Sequence, residues 1–182
     1  MKSKLDLKHL RLTIIVFAFT LVSFSTQAQE KIKWLSWEEA IALNEENPKK
    51  ILVDVYTNWC GWCKRMDTST FSETEIIEYI NTNYYAVKLN AEQKEDINYK
   101  GHQFKYDPTK SRRGTHELAV ALLDGNMSYP AFVFLNADEQ KITLLKGYQA
   151  ATDFIVVLKY IGEEKYKTST FEDYKKETSN KK

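Results

Sequence analysis

The stretch Trp59-Cys60-Gly61-Trp62-Cys63-Lys64 comes shortly after the apolar run Ile51-Leu52-Val53-Asp54-Val55-Tyr56. That run is short, rich in β-branched residues and bounded by polar residues, which is typical of a buried strand. The residues from Gly61 to Met66 contain no proline and are compatible with a helix. Cys60 is therefore predicted at the first turn of a helix, and Cys63 one turn later on the same face.

This arrangement has a specific chemistry. Unpaired backbone N–H groups and the positive end of the helix dipole favour the thiolate form of a cysteine at a helix N-terminus. A thiolate with a second thiol in reach can attack a disulfide, form a mixed disulfide, and be released by its neighbour. The pair Cys60 and Cys63 is thus predicted to be a dithiol redox site, with Cys60 as a reachable nucleophile and Cys63 as the resolving thiol.

Two structural interpretations of the cysteines compete with this one. A disulfide between Cys60 and Cys63 could simply staple the domain, but it closes a very small loop and removes little entropy from the unfolded chain. A structural zinc site needs four ligands. The distant His102 and His116 do not complete a recognisable set with two cysteines, so we expect no metal.

The composition limits the possible classes of function. The chain has 182 residues, of which 43% are hydrophobic and 13% aromatic, so it can form one domain with a packed core. The formal net charge of +1 gives neither the basic excess typical of a nucleic-acid partner nor the acidic excess of a cation sink.

Residues 1–28 have the pattern of a secretory signal peptide. Four basic residues precede the apolar segment from Leu12 to Phe24, and Thr26-Gln27-Ala28 has small residues where a signal peptidase cleaves. An uncleaved membrane anchor is the alternative, although a membrane span usually needs ~20 apolar residues. We therefore expect an exported, periplasmic protein whose mature chain begins at Gln29.

The remaining chain alternates predicted strands and helices. A capping box at Ser36 begins a first helix. After the strand Ile51 to Tyr56, the dithiol helix and one more helix, Tyr84 to Leu89 is predicted to form a strand. The two strands and the helices between them predict a βαβ unit with parallel strands. A second capping box is predicted at Ser72. Residues 91–114 are polar and form a long inserted loop. Its basic end, Lys110, Arg112 and Arg113, is by default a solvated surface, with a specific anionic partner as the alternative.

Further elements follow the insertion. They are a helix from Thr115, a strand after Tyr129-Pro130, a partner strand from Ile142 to Leu145, and a last helix capped by Thr152 or Asp153. The predicted division is a signal peptide at 1–28, one domain at 29–162 and a polar tail at 163–182.

In this order of elements the chain resembles a thioredoxin-fold thiol–disulfide oxidoreductase, over roughly Ile32 to Ile161. The resemblance implies an α/β fold with a central mixed sheet of four to five strands flanked by helices. The long insertion before the proline that this family holds in cis is a departure from the compact members of the family. The matched positions are Ile51-Leu52-Val53-Asp54, Trp59-Cys60-Gly61-x-Cys63-Lys64, Lys88 on the next central strand, Tyr129-Pro130, and Gly147 before the last helix.

The resemblance also implies roles for these residues. Asp54, whose burial should raise its pKa, would exchange a proton with Cys63, with Lys88 as its charge partner; a purely structural Asp–Lys pair is the alternative. Pro130, if cis, would place the Tyr129 backbone beside Cys60 for strand-like pairing with substrate; otherwise it only starts a strand. The predicted substrate-binding residues are Trp59, Gly61, Trp62, Tyr129 and Pro130, the tryptophans forming an apolar rim unless they are core residues.

Three functions remain open on these grounds. The leading one is an exported reductase of protein disulfides that needs no cofactor beyond the Cys60–Cys63 pair, receives electrons from a membrane or extracytoplasmic thiol donor, and acts as a monomer. The second runs the chemistry in reverse, as a disulfide oxidase or isomerase, because Trp62 stands where thioredoxin has proline and the residues between the cysteines tune the potential. The third is a redox-switched client-binding module or holdase.

Overall fold

The structure is a computed structural model that describes residues 30–180. The predicted signal peptide at 1–28 lies outside this range. Within it, no helix combines the length and the apolar character needed to cross a bilayer.

The fold class is confirmed as a mixed five-stranded sheet flanked by helices. Its strands are β1 (Trp34–Leu35), β2 (Lys50–Tyr56), β3 (Tyr84–Asn90), β8 (Ala131–Leu135) and β9 (Lys141–Lys146), in the spatial order β1-β3-β2-β8-β9. β3 runs parallel to both β2 and β1, whereas β8 is antiparallel to β2 and to β9. The predicted βαβ unit is therefore present.

Within residues 30–180, six α-helices accompany the sheet: α1 (Trp37–Glu46), α2 (Gly61–Thr68), α3 (Thr74–Asn83), α4 (Glu117–Leu122), α5 (Ala151–Gly162) and α6 (Phe171–Ser179). The capping box at Ser36 is confirmed, with Glu39 closing it. The capping box at Ser72 is wrong, because that hydroxyl donates to carbonyls of the preceding turn and Glu73 takes the N-cap position. Neither Thr152 nor Asp153 caps α5, since its N-cap is Ala150.

Strand alternation divides the core into two layers. Ile51, Val53 and Val55 face one side of the sheet, in a cluster with residues of α1 and α4. Leu52 faces the other side, in a cluster with residues of α2, α3 and α5. Because strand side chains alternate with period two, Asp54 lies on the same side as Leu52, towards α2.

The insertion at 91–114 is more ordered than a loop. It contains β4 (Ile97–Tyr99) paired with β5 (His102–Phe104), and β6 (Tyr106–Asp107), which pairs with β7 (Thr115–His116) directly after it. Ile97 is buried and, with Tyr99 and Phe104, packs on the core beside α1. This apolar anchoring explains why a polar stretch folds.

The predicted tail is also structured, since the ring of Tyr160 of α5 packs against the rings of Phe171 and Tyr174 of α6.

His116 anchors the far end of the insertion and is buried. Its Nδ1 accepts the Leu118 N–H at 3.3 Å, while Nε2 lies 3.2 Å from the Glu95 carbonyl oxygen, to which a neutral ring donates. Burial lowers the pKa of His116 despite that hydrogen bond, so the ring keeps this neutral form at pH 7. His116 is a structural residue of the insertion.

The turn at Gly114 generates a first prediction. Gly114 has φ +71°, and a Cβ there would lie 2.1 Å from the Tyr106 hydroxyl, which donates a 2.6 Å hydrogen bond to the Arg113 carbonyl. Gly114→Ala should lower the free energy of unfolding, measured in urea, by about 2–3 kcal/mol, because backbone strain adds to the displacement of Tyr106.

Gly125→Ala is the matched control. Gly125 has nearly the same φ, +72°, but open space around its Cβ position, so only strain of about 1 kcal/mol is expected. Equal destabilisation by the two substitutions would contradict the role assigned to Tyr106.

Candidate active site

The dithiol lies where β2 gives way to α2. Cys60 is the N-cap of α2, in an extended conformation, and its sulfur accepts the Cys63 N–H at 3.0 Å. Sulfur thus occupies the place of the oxygen acceptor that usually caps a helix. The same N–H is available to a Cys60 thiolate, so the cap stabilises the nucleophilic form.

Cys60 and Cys63 form a disulfide with their Cα atoms 5.3 Å apart. Both residues are buried, Cys60 with 5% of its surface exposed. The sequence analysis expected a reachable Cys60, but in this oxidised state little of it reaches the surface. Gly61, by contrast, is an exposed first residue of α2 with open space where a Cβ would be.

Asp54 and Lys88 are neighbours because β2 and β3 pair in parallel, with Asp54 opposite Lys88 in the register. Lys88 Nζ lies 3.0 Å from Asp54 Oδ2. The other oxygen, Oδ1, is buried and accepts no hydrogen bond from the described residues. The same is true of the buried hydroxyl of Thr57, between β2 and Cys60.

The environment of Asp54 brings its titration near neutral pH. Burial raises the pKa of Asp54 to about 6, although Lys88 pulls it down, and the charge of Asp67 adds to the increase. Burial alone would lower the pKa of Lys88, but the charge of Asp54 and the hydrogen bonds that the ammonium donates to both carboxylates raise it. Asp54 can therefore take up and release a proton while Lys88 stays charged.

Asp67 is a third member of this group that the sequence analysis missed. It lies on α2 and binds Lys88 Nζ directly, so Lys88 connects the central strand to the dithiol helix. The rings of Trp34 and Phe71 also lie 4.7 and 5.3 Å from Nζ. Asp67 follows Cys63 by four residues and comes directly after the stretch Gly61 to Met66 that was predicted as helical, so an i,i+4 relation to Cys63 is the signal that could have indicated it.

A cavity of about 500 Å³ opens beside Lys88, with Trp34, Asp67 and Phe71 in its lining. It lies on the Lys88 side of the pair. The partly buried ammonium and the exposed Asp67 therefore connect the buried Asp54 with the surface.

The two tryptophans beside the dithiol are exposed, at 52% for Trp59 and 57% for Trp62. They are not core residues. Trp59 contacts Tyr129 edge to face at 5.9 Å, and Trp62 lies 5.4 Å from the ring of Tyr148, which the sequence analysis did not single out. Together these aromatic side chains provide apolar surface on both sides of Cys60.

The peptide bond between Tyr129 and Pro130 is cis. Pro130 is buried and precedes β8, whose Ala131 pairs with Val55 of β2. The sheet thus brings the Tyr129–Pro130 segment to the end of β2 that leads into the dithiol. No group of three His, Cys, Asp or Glu side chains within residues 30–180 is arranged to hold a metal ion.

Comparison with known proteins gives a consistent relationship. The family model Thioredox_DsbH, described as a protein of unknown function, DUF255, matches residues 22–170. An uncharacterized protein from Archaeoglobus fulgidus is 32% identical over 80 residues, which are 44% of this chain and 63% of that relative. The alignment therefore spans less than two thirds of the relative's length.

Two solved structures share the fold. The structure titled DsbH Oxidoreductase has a TM-score of 0.55 at 17% identity, covering 79% of this chain and 92% of that chain. A thioredoxin-fold protein from Helicobacter pylori has a TM-score of 0.57 at 22% identity, covering 75% of this chain and 88% of that one. At these identities the likeness concerns the fold.

The pKa of Asp54 generates a prediction for stability. The unfolded carboxyl loses its proton near its ordinary pKa of 3.8, whereas the folded one holds it to about 6. The folded state therefore binds more protons between these values, and the free energy of unfolding should fall by on the order of 2–3 kcal/mol from pH 4 to pH 7 through Asp54. Asp54→Asn should remove this component, measured by urea unfolding of the oxidised protein across that range.

Asp67→Asn refines this prediction. The charge of Asp67 raises the pKa of Asp54, and Asp67 also shares Lys88. Removal of the Asp67 charge should move the titration of Asp54 to lower pH. The titration is measured by the ¹³C chemical shift of the Asp54 carboxyl carbon. An unchanged titration in Asp67→Asn, or an Asp54→Asn protein with the wild-type pH dependence, would contradict the coupling described here.

Proposed function

Since this chain belongs to the Thioredox_DsbH family and has a thioredoxin fold with a Cys60–Cys63 pair, we propose that it is an exported thiol–disulfide oxidoreductase that reduces disulfides in extracytoplasmic proteins. The observation that carries this proposal is the Cys60–Cys63 disulfide at the N-cap of α2, directly after a strand that holds a buried carboxyl group whose pKa is about 6. A stapling disulfide needs no such group.

The proposed reaction begins with the reduced protein. The Cys60 thiolate attacks one sulfur of a substrate disulfide, so that an S–S bond forms to Cys60 and the other substrate sulfur leaves as a thiolate. Cys63 then loses its proton and attacks Cys60, which releases the second substrate thiolate. Two electrons pass from the dithiol to the substrate, and the Cys60–Cys63 disulfide remains.

Asp54 is proposed to receive the Cys63 proton. Its carboxylate lies on the side of the sheet that faces α2, and its buried Oδ1 accepts no hydrogen bond from residues 30–180. A pKa near the working pH suits a group that must accept and return a proton. Lys88, held by Asp54 and Asp67, keeps a positive charge close to this carboxylate throughout.

The substrate is proposed to lie between the two aromatic flanks. An extended segment with the target disulfide would pair with the backbone at Tyr129 and Pro130, while Trp59, Gly61 and Trp62 contact its side chains. No cofactor is required, but a thiol donor must reduce Cys60–Cys63 after each turnover. We propose a membrane or extracytoplasmic dithiol in this role and a monomeric protein. The export part of the proposal is supported by the sequence of residues 1–28.

The first test traps the reaction halfway. Cys63→Ala should accumulate mixed disulfides with client proteins through Cys60, because the resolving sulfur is missing. These adducts are detected on non-reducing gels and identified by mass spectrometry. Cys60→Ala is the matched control and should trap nothing, since Cys63 lacks the N-cap position that favours the thiolate form of Cys60. Equal trapping by both variants would contradict the assigned roles.

The second test concerns the direction of electron flow. Equilibration with mixtures of reduced and oxidised glutathione should give a potential nearer that of thioredoxin, about −270 mV, than that of the strong oxidant DsbA, about −120 mV. A strongly oxidising value would overturn the reductase proposal in favour of an oxidase or isomerase. Retained client binding and biological activity in Cys60→Ser/Cys63→Ser would instead support the holdase alternative.

A further inference from the structure

The insertion at 91–114 holds one of the two exposed tryptophans in place. Near its start, Glu92 accepts a 2.8 Å hydrogen bond from the Trp59 indole N–H. Near its end, the Arg113 guanidinium lies 5.6 Å above the Trp59 ring. Both ends of the insertion therefore meet at the residue directly before Cys60.

A cleft of about 630 Å³ lies between the insertion and this part of the active site. One wall is apolar and consists of Trp59, Met127 and Tyr129; the other is polar and comes from the insertion, with Ser111, Arg112 and Arg113. Because the apolar wall includes residues adjacent to both Cys60 and Pro130, the cleft continues the surface on which the substrate is proposed to lie.

The charge balance of the cleft is positive. Glu92 is the one carboxylate among the described residues that line the cleft. This carboxylate accepts a hydrogen bond from the Trp59 N–H. Arg112 and Arg113 are exposed, and within residues 30–180 neither forms an ion pair. Burial and the nearby charge of Glu92 raise the pKa of Tyr129 to about 12, so its hydroxyl adds no negative charge.

The loop that carries the arginines has a defined backbone. Ser111 donates its hydroxyl to the Gly114 carbonyl at 2.9 Å, and the Gly114 N–H returns to the Ser111 carbonyl at 3.2 Å. The Arg113 carbonyl accepts the Tyr106 hydroxyl. The arginines therefore project from a hydrogen-bonded turn, which lowers the entropy lost when a ligand binds to them.

We infer that this cleft binds an acidic segment of the substrate polypeptide, close in sequence to the cysteine that Cys60 attacks. The inference rests on the proposed function, since it names the class of substrate for the same site. Two guanidinium groups that form no ion pair within residues 30–180 match carboxylates, and guanidinium binds carboxylates in a bidentate manner. Arg113 lies 5.6 Å from the ring of Trp59, the residue before Cys60, and an extended chain advances ~3.3 Å per residue. The acidic residues of the substrate would therefore lie within about five positions of its cysteine.

The test compares peptides that differ only in charge. Each has one cysteine in a mixed disulfide with 2-thiopyridine, flanked on one side by three Asp, three Asn or three Lys residues. The rate constant for thiopyridone release by the reduced full-length chain reports attack on the peptide sulfur. We expect the Asp peptide to react about three- to ten-fold faster than the Asn peptide at low salt, with a smaller ratio at 0.5 M salt.

Variants locate the source of the preference. In Arg112→Gln/Arg113→Gln the ratio of Asp to Asn rates should fall to about one, and in Arg112→Glu/Arg113→Glu the Lys peptide should become the preferred one. Lys105→Gln/Lys110→Gln removes the same charge from exposed positions of the insertion that do not line the cleft, and should keep the wild-type ratio. A wild-type protein without preference, or an equal loss in the lysine variant, would overturn the inference.

A second measurement separates this inference from the proposed reaction. Fluorescence anisotropy of labelled peptides with serine in place of cysteine gives binding to Cys60→Ser/Cys63→Ser without redox chemistry. Arginine-dependent binding of the Asp peptide, together with a wild-type protein that does not react even with dipyridyl disulfide, would support the acidic-segment inference and contradict the oxidoreductase proposal. Reaction with disulfides without any charge preference, together with no binding of the Asp peptide, would support the oxidoreductase proposal and contradict the inference of an acidic ligand in the cleft.

Discussion

The parallel pairing of β2 with β3 is the constraint on which the candidate site depends. It places Asp54 directly opposite Lys88 in the middle of the sheet, where a carboxylate without a cation would be too costly to bury. The pair is not fully neutralised, because Lys88 is shared with Asp67 on α2 and one oxygen of Asp54 accepts no hydrogen bond from the part of the chain that the structure describes. A site that is only partly compensated keeps the pKa of Asp54 near 6, and this property allows proton exchange at neutral pH.

The strand-to-helix transition supplies the other half of the site. β2 ends at Tyr56 and α2 begins at Gly61, so the short connection leaves Cys60 at the N-cap, with its sulfur on the Cys63 N–H. Lys88 then links the two halves, since it contacts Asp54 on the strand and Asp67 on the helix. The helix that carries the dithiol and the strand that carries the buried carboxyl are therefore linked through one side chain.

The insertion at 91–114 adds a second layer of control around this common core. Its short strands are anchored by apolar contacts of Ile97 and by the buried His116, and its two ends meet at Trp59. Trp59 thus belongs both to the aromatic surface beside Cys60 and to the charged cleft. Under the function proposed above, a change in the insertion alters substrate choice without altering the dithiol, because the insertion contacts Trp59 and neither cysteine lines the cleft.

The order of the main strands and helices and the position of the cysteines at a helix start were predictable from local periodicity in the sequence. The candidate pair Asp54 and Lys88 was implied by the resemblance to the thioredoxin-fold family. The sequence did not reveal the caps at Glu73 and Ala150, where no side-chain cap bond forms. Only the tertiary structure brought Asp67 to Lys88, and Glu92 and Arg113 to Trp59, since these contacts join residues 21, 33 and 54 positions apart. Interactions over such separations depend on how the sheet and the insertion pack, which no local pattern specifies.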